Sequence, residues 1–160
     1  MKTIIRRATL KDAPIIADFN HAMAKETEGL VLERKRLLRG VRALLNDKSK
    51  GFYIVAVIDG SVAGQLMITY EWSDWRCGTF CWIQSVYIAP EFRNGGVFAQ
   101  LFRHIEKEAK KNTSVCGLRL YVEHGNTRAQ QTYEHLGMKR AEYQMYEIDF
   151  VIDRTAIIKS

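Results

Sequence analysis

Val86-Tyr87-Ile88-Ala89-Pro90-Glu91-Phe92-Arg93-Asn94-Gly95-Gly96-Val97-Phe98 is the stretch on which the reading of this chain turns. An apolar strand runs into Pro90, which cannot continue a ladder. A short loop brings in a cation and two glycines, and an amphipathic helix begins at once. The first N–H groups of a helix have no acceptor within it, and its dipole adds partial positive charge there. Glycine lets the backbone approach a phosphate with no Cβ in the way. The stretch is therefore built to hold an anion, and a diphosphate suits it. A strand-to-helix turn that binds nothing is the plainer alternative.

Outward from this stretch, the apolar pattern predicts the rest of the fold. Residues 2–8 read as a strand. Thr9 with Asp12 is a capping-box variant ahead of Pro14, and Ile16, Phe19 and Met23 continue at helical spacing. Gly29 interrupts; Leu37, Leu38, Val41, Leu44 and Leu45 then line a second helix. Residues 52–58 form a continuous apolar strand, and Asp59-Gly60 is a two-residue hairpin signal. The partner strand runs from Val62 to Glu71. A loop over Ser73–Gly78 leads to a third strand, Phe80–Ile88. After the helix carrying Phe98, Leu101, Phe102, Ile105 and Ala109 come a strand over 115–122 and a helix capped by Asn126 and closed by Gly137. A final strand is expected over 138–150. A meander followed by αβ units implies an α/β fold, with a mixed, mostly antiparallel sheet covered by helices on both faces. The crossover pair, 80–88 and 115–122, should be parallel. We expect a single domain over 1–150, with 151–160 an extension or tail.

Composition narrows the function. Hydrophobic residues at 47% and charged residues at 26% suit a folded core. No apolar run approaches the ~18–20 residues of a membrane helix, and the segment with Lys2, Arg6 and Arg7 holds none long enough for a signal peptide. The expected location is the cytoplasm, with no membrane partner. Cys77 and Cys81, four apart in a strand, would lie ~13 Å from each other, and no histidine completes a ligand set, so no metal is expected. The net charge of +6 comes from scattered residues with no aromatic-basic readout motif, which argues against nucleic acid. The chain has neither the phosphate loop of a nucleoside triphosphatase nor a dinucleotide-binding fingerprint.

A second block lies about thirty residues on, at Leu120-Tyr121-Val122-Glu123-His124-Gly125-Asn126-Thr127-Arg128-Ala129-Gln130-Gln131-Thr132-Tyr133-Glu134-His135-Leu136-Gly137-Met138. Together the two blocks resemble the GNAT superfamily of acetyl-CoA-dependent N-acetyltransferases. Arg93 and Gly96 match its pyrophosphate loop. Phe98 stands where the family has a small residue, and Met138 where it has an aromatic. The resemblance implies that strands 4 and 5 are splayed and that the pantetheine arm of coenzyme A lies along Val86, Tyr87 and Ile88. The pyrophosphate would then take amides from Arg93, Asn94, Gly95, Gly96, Val97, Phe98 and Ala99. It implies an oxyanion-stabilising N–H near Val86, Tyr133 as the acid protonating the departing thiolate, and Asn126 touching the pantetheine as well as capping its helix. By spacing alone, Tyr133 also reads as a half-buried core residue.

The base is the open point. Gln84 stands where some members of the family carry a glutamate. Glu71 ranks first among the acids, ahead of Asp74, Glu28 and Glu123, and a water ordered by Gln84 competes with it. For the acceptor, Trp72, Trp75 and Trp82 with Asp74 and Glu28 suit a cationic amine with apolar parts; Glu26 and Glu28 are expected in a loop between the first two helices. The activity so implied moves an acetyl group from acetyl-CoA to a primary amine of a small molecule by direct attack. Acetylation of a protein N-terminus or lysine, or a non-catalytic acyl-CoA sensor, are the alternatives, and a homodimer stays open.

Overall fold

The computed structural model describes residues 2–154. The chain divides after Tyr121 into two compact units. The first holds β1 (Thr3–Arg7), α1 (Ala13–Glu28), α2 (Arg34–Asn46), β2 (Phe52–Ile58), β3 (Ser61–Ser73), β4 (Gly78–Ile88), α3 (Val97–Lys111) and β5 (Val115–Arg119). The strands form one sheet in the order β1-β2-β3-β4-β5, antiparallel throughout except for the parallel pair β4–β5. This is the mixed α/β sheet that the sequence predicts.

Local chemistry explains the joints. Asp59 and Gly60 both take positive φ, 49° and 82°, and join β2 to β3 in the tight turn that matches strand twist. The Asp12 carboxylate accepts the Thr9 N–H at 2.7 Å and takes both guanidinium nitrogens of Arg6 at 2.8 and 2.9 Å, fixing the entry to α1. Gly29, at φ 65°, ends α1 in the left-handed conformation, its N–H bonding back to Lys25.

Alternation along the strands sets two faces. Tyr53 and Val55 of β2 face α1 and α2, packing with Ala13, Ile16, Ala17, Val41 and Leu44. Ile54, Leu66 and Ile68 point the other way, toward the side carrying α3, whose Glu108 holds Arg7 at 2.7 Å. Burying an aliphatic side chain of this size stabilises by about 1.5–3 kcal/mol.

The second unit begins at Val122 and contains α4 (Thr127–His135). Asn126 caps it, accepting the Ala129 N–H at 3.2 Å. Gly137, at φ 92°, closes it, with the Met138 N–H reaching the Tyr133 carbonyl at 3.0 Å. The expected strand over 138–150 does not form. α4 is the regular element among the unit's described residues, so a segment of strand-like composition has no sheet edge within its unit to pair with. Of the expected tail, residues 155–160 lie outside the described residues.

Candidate active site

β4 and β5 part company partway along. Their register runs from Thr79↔Val115 to Trp82↔Arg119 and stops there. Among the described residues, β4 pairs from Ile83 onward with β3 alone, which leaves its other edge without a strand over the residues leading to Pro90. Over this stretch β4 carries a bulge in its pairing with β3. Gln65 lies opposite Tyr87 and Met67 opposite Gln84, so Leu66 faces both Ser85 and Val86. Ser85 sits at φ 49°, a conformation costly for a residue with a Cβ.

At the far end of β4 a single turn over Pro90–Phe92 leads to the glycine loop. Asn94 and Gly96 adopt left-handed φ of 66° and 71° around Gly95, and Gly96 caps α3. The Gln100 N–H bonds the Gly96 carbonyl at 3.1 Å; the amides ahead of it have no acceptor in the helix by its geometry. A Cβ built at Gly96 would meet nothing within 4 Å, and one at Gly95 only the Phe92 carbonyl at 3.5 Å. Open space in front of a helix N-terminus fits a diphosphate. Phe98, the departure from the family pattern, turns its ring to Phe102 at 6.2 Å along α3.

Arg93 is engaged on both sides. Its Nε donates to the Ile88 carbonyl at 2.9 Å, and its Nη2 to Glu26 at 2.8 Å. Glu26 also accepts the Tyr87 hydroxyl at 2.8 Å, and that hydrogen bond, then Arg93, hold its carboxyl below the usual range. Tyr87 packs against Phe19 at 5.0 Å, so its side chain belongs to the core and only its backbone lies on the β4 edge. Arg93 thus ties the glycine loop to α1. Glu26 and Glu28 lie in the last turn of α1 rather than in the expected loop; the apolar spacing after Met23 is too sparse to reveal that the helix continues.

The remaining candidates fall into separate places. Trp72 and Trp75 are exposed at the β3–β4 hairpin, where Asp74 accepts the Trp75 N–H at 2.8 Å. That hairpin and the Arg93 loop are at opposite ends of β4, roughly 30 Å apart at strand rise. Glu28, on the α1 turn that reaches Arg93, is therefore not gathered with Trp72, Asp74 and Trp75. Trp82 is half-buried beside Tyr121, ring centroids 5.9 Å apart. Glu71 is opposite Phe80, six residues and roughly 20 Å along β4 from Val86. Its carboxylate reaches across to Arg119 of β5, whose guanidinium lies 3.6 Å over the Phe80 ring. This pair braces the paired end of the fork. Gln84 directly precedes the bulge. In the second unit, partial burial pushes the Tyr133 phenol up from its ordinary value.

Sequence reading missed a buried polar chain beneath the bulge. Gln65 Nε2 donates to Asn20 Oδ1 at 2.8 Å and to the Ser85 carbonyl at 3.2 Å, and Asn20 Nδ2 donates to the Tyr53 hydroxyl at 3.2 Å. Gln65 is fully buried, and its Oε1 has no partner among the described residues. The signal available was a glutamine inside the apolar run Val62-Ala63-Gly64-Gln65-Leu66-Met67-Ile68.

A forked α/β sheet whose open edge runs into a glycine-led helix is the architecture of an acyl-CoA-dependent acyltransferase. Comparison with known proteins agrees. The Acetyltransferase (GNAT) family matches residues 17–138, a span that crosses the division between the two units. A possible acetyltransferase from Clostridium difficile 630 superposes with a TM-score of 0.87 at 46% identity, covering 95% of this chain and 100% of its own. Two more distant structures share the fold. One is a ribosomal-protein-alanine N-acetyltransferase from Brucella melitensis biovar Abortus 2308 (TM-score 0.75, 17% identity, 94% and 100% covered). The other is a glucosamine-6-phosphate N-acetyltransferase from Arabidopsis thaliana (0.70, 16%, 92% and 99%). No functionally curated protein matches by sequence. The chain belongs to the GNAT acetyltransferase family; it is an acyltransferase, and acetyl-CoA is the co-substrate of that family. Among the described residues no helix is long and apolar enough to cross a membrane, and no group of three or more His, Cys, Asp or Glu residues could hold a metal.

Proposed function

We propose that this protein transfers the acetyl group of acetyl-CoA to a primary amine of a small molecule by direct attack, working in the cytoplasm as a single domain over 1–150. The observation that carries the reading is the fork: β4 leaves β5 after Trp82 and runs, one edge open, to the glycine loop of α3. The pantetheine arm would pair with the backbone of Val86, Tyr87 and Ile88. The Arg93 N–H, expected to bind the pyrophosphate, is taken by the Pro90 carbonyl at 3.2 Å; the pyrophosphate would take the amides from Asn94 to Ala99, with Asn126 a further contact to the pantetheine.

In this mechanism the neutral amine attacks the thioester carbonyl, and the negative charge that develops on its oxygen is met by the Val86 N–H. The C–S bond then breaks, and Tyr133, a phenol protonated at neutral pH and raised further by burial, gives its proton to the departing thiolate. The ammonium formed on the acceptor side loses a proton to a water held by Gln84; Glu71, committed to Arg119, is set aside as the base. Trp82 forms the apolar wall of the acceptor site.

The test is a panel of primary amines, comprising amino acids, polyamines and amino sugars, with release of free coenzyme A as the readout. Acceptor-dependent release with the acetylated amine found by mass spectrometry supports the proposal. Release only with a protein N-terminus or a lysine peptide would replace the small acceptor with a macromolecular one. Tight coenzyme binding with no acceptor-dependent release would make the protein a sensor.

A further inference from the structure

The Ser85–Val86 peptide is one rigid plane, with the carbonyl oxygen at one end and the Val86 N–H at the other. Whatever fixes the direction of the oxygen fixes the direction of the N–H. Its oxygen is held by Gln65 Nε2 at 3.2 Å, and that nitrogen is itself set by Asn20 Oδ1 at 2.8 Å. A backbone carbonyl can only accept, so the Gln65 amide sits with its nitrogen toward Ser85, and that nitrogen in turn calls for the oxygen of Asn20. Asn20 Nδ2 donates to the Tyr53 hydroxyl at 3.2 Å, and Asn20, Gln65 and Tyr53 are 8%, 0% and 3% exposed. None of the three carries a charge, so the chain supplies no base. Ser85 at φ 49° would relax if it were not held.

We infer that Gln65 is a positioning residue for acetyl transfer: it grips the Ser85 carbonyl so that the Val86 N–H of the same peptide points at the thioester oxygen. A hydrogen bond on the carbonyl also polarises the amide and strengthens its N–H as a donor. The inference rests on the proposed role of the Val86 N–H and deepens it.

The experiment uses the full chain with acetyl-CoA labelled at the carbonyl carbon, bound in the absence of amine. The carbonyl infrared band and the kinetics on a verified acceptor are read together. In the unaltered protein the band should lie below its position in buffer. Gln65→Met keeps the volume and removes the donor. The band should then return toward the buffer position, and kcat should fall at least tenfold, while the Kd for coenzyme A changes less than twofold. Should Gln65→Met fail to fold, Asn20→Ala, which frees the Gln65 amide without touching β3 or β4, should shift both readouts in the same direction by less. An unaltered protein with no band displacement overturns the role of the Val86 N–H, and the inference with it. A displaced band that survives in a folded Gln65→Met protein overturns the inference alone. So does a kcat loss that merely tracks loss of coenzyme affinity.

Discussion

Gly96 offers a substitution in which charge can be separated from shape. Its φ of 71° belongs to the left-handed region, where a Cβ costs roughly 1–2 kcal/mol, least for Asn and Asp. No atom lies within 4 Å of a Cβ placed there, so nothing clashes in the free protein. Asp next to a helix N-terminus also favours the helix by about 0.3–1 kcal/mol, which offsets part of the backbone cost. Gly96→Asp and Gly96→Asn should therefore both fold, with midpoints close to each other. They part on ligand binding. A carboxylate 4 Å from a phosphate charge is repelled by about 4 kcal/mol at an effective dielectric of 20, and side-chain rotation away from the ligand recovers part of this. Calorimetric titration should give a Kd for coenzyme A at least tenfold weaker for Asp than for Asn, about 1.4 kcal/mol, narrowing as salt is raised. Pantetheine, which lacks the pyrophosphate, should bind both variants equally. Equal coenzyme A affinity in the two folded variants would refute the placement of the diphosphate at α3.

Tyr133→Phe should lower kcat about 10²-fold or more with coenzyme A affinity unchanged. The alkaline limb of the unaltered protein should lie above the ordinary tyrosine value, since burial raises this phenol; stopped assays across pH check both. Glu71→Gln breaks the part-exposed pair with Arg119 and should cost under about 1 kcal/mol in urea unfolding. It should leave kcat at saturating amine within about threefold, and a 10²-fold loss would return Glu71 to the role of base. Asp12 is held below the usual carboxylate range, first by Arg6, against the opposing effect of burial. Its lowered native pKa means that its contribution is present above the unfolded value near 3.9 and is lost as pH falls through the native one. Asp12→Asn should thus destabilise by about 2 kcal/mol at pH 7, a difference that shrinks below about pH 4 in paired unfolding curves.

Much of the first unit was legible because its joints are local. Asp59-Gly60, Thr9 with Asp12, Gly29 and Pro90 each act within a few residues, and the continuous apolar run of β2 marks a buried strand without reference to distant chain. The features of the site that escaped depend on residues far apart in sequence. Glu26 meets Arg93 across 67 positions and Gln65 meets Asn20 across 45, so neither pairing leaves a periodic trace. The bulge at Ser85 is a register shift, visible only once β3 is laid against β4. The segment 138–150 fails for the related reason that strand composition supplies affinity for an edge but not the edge itself.

The structure of the protein with coenzyme A bound tests the central claim most directly. The account places the pyrophosphate on the amides from Asn94 to Ala99 at the start of α3 and the pantetheine along the open edge of β4, with the sulfur near Val86. A complex in which the coenzyme lies elsewhere, or in which β5 pairs with β4 beyond Trp82 and closes the fork, would contradict it.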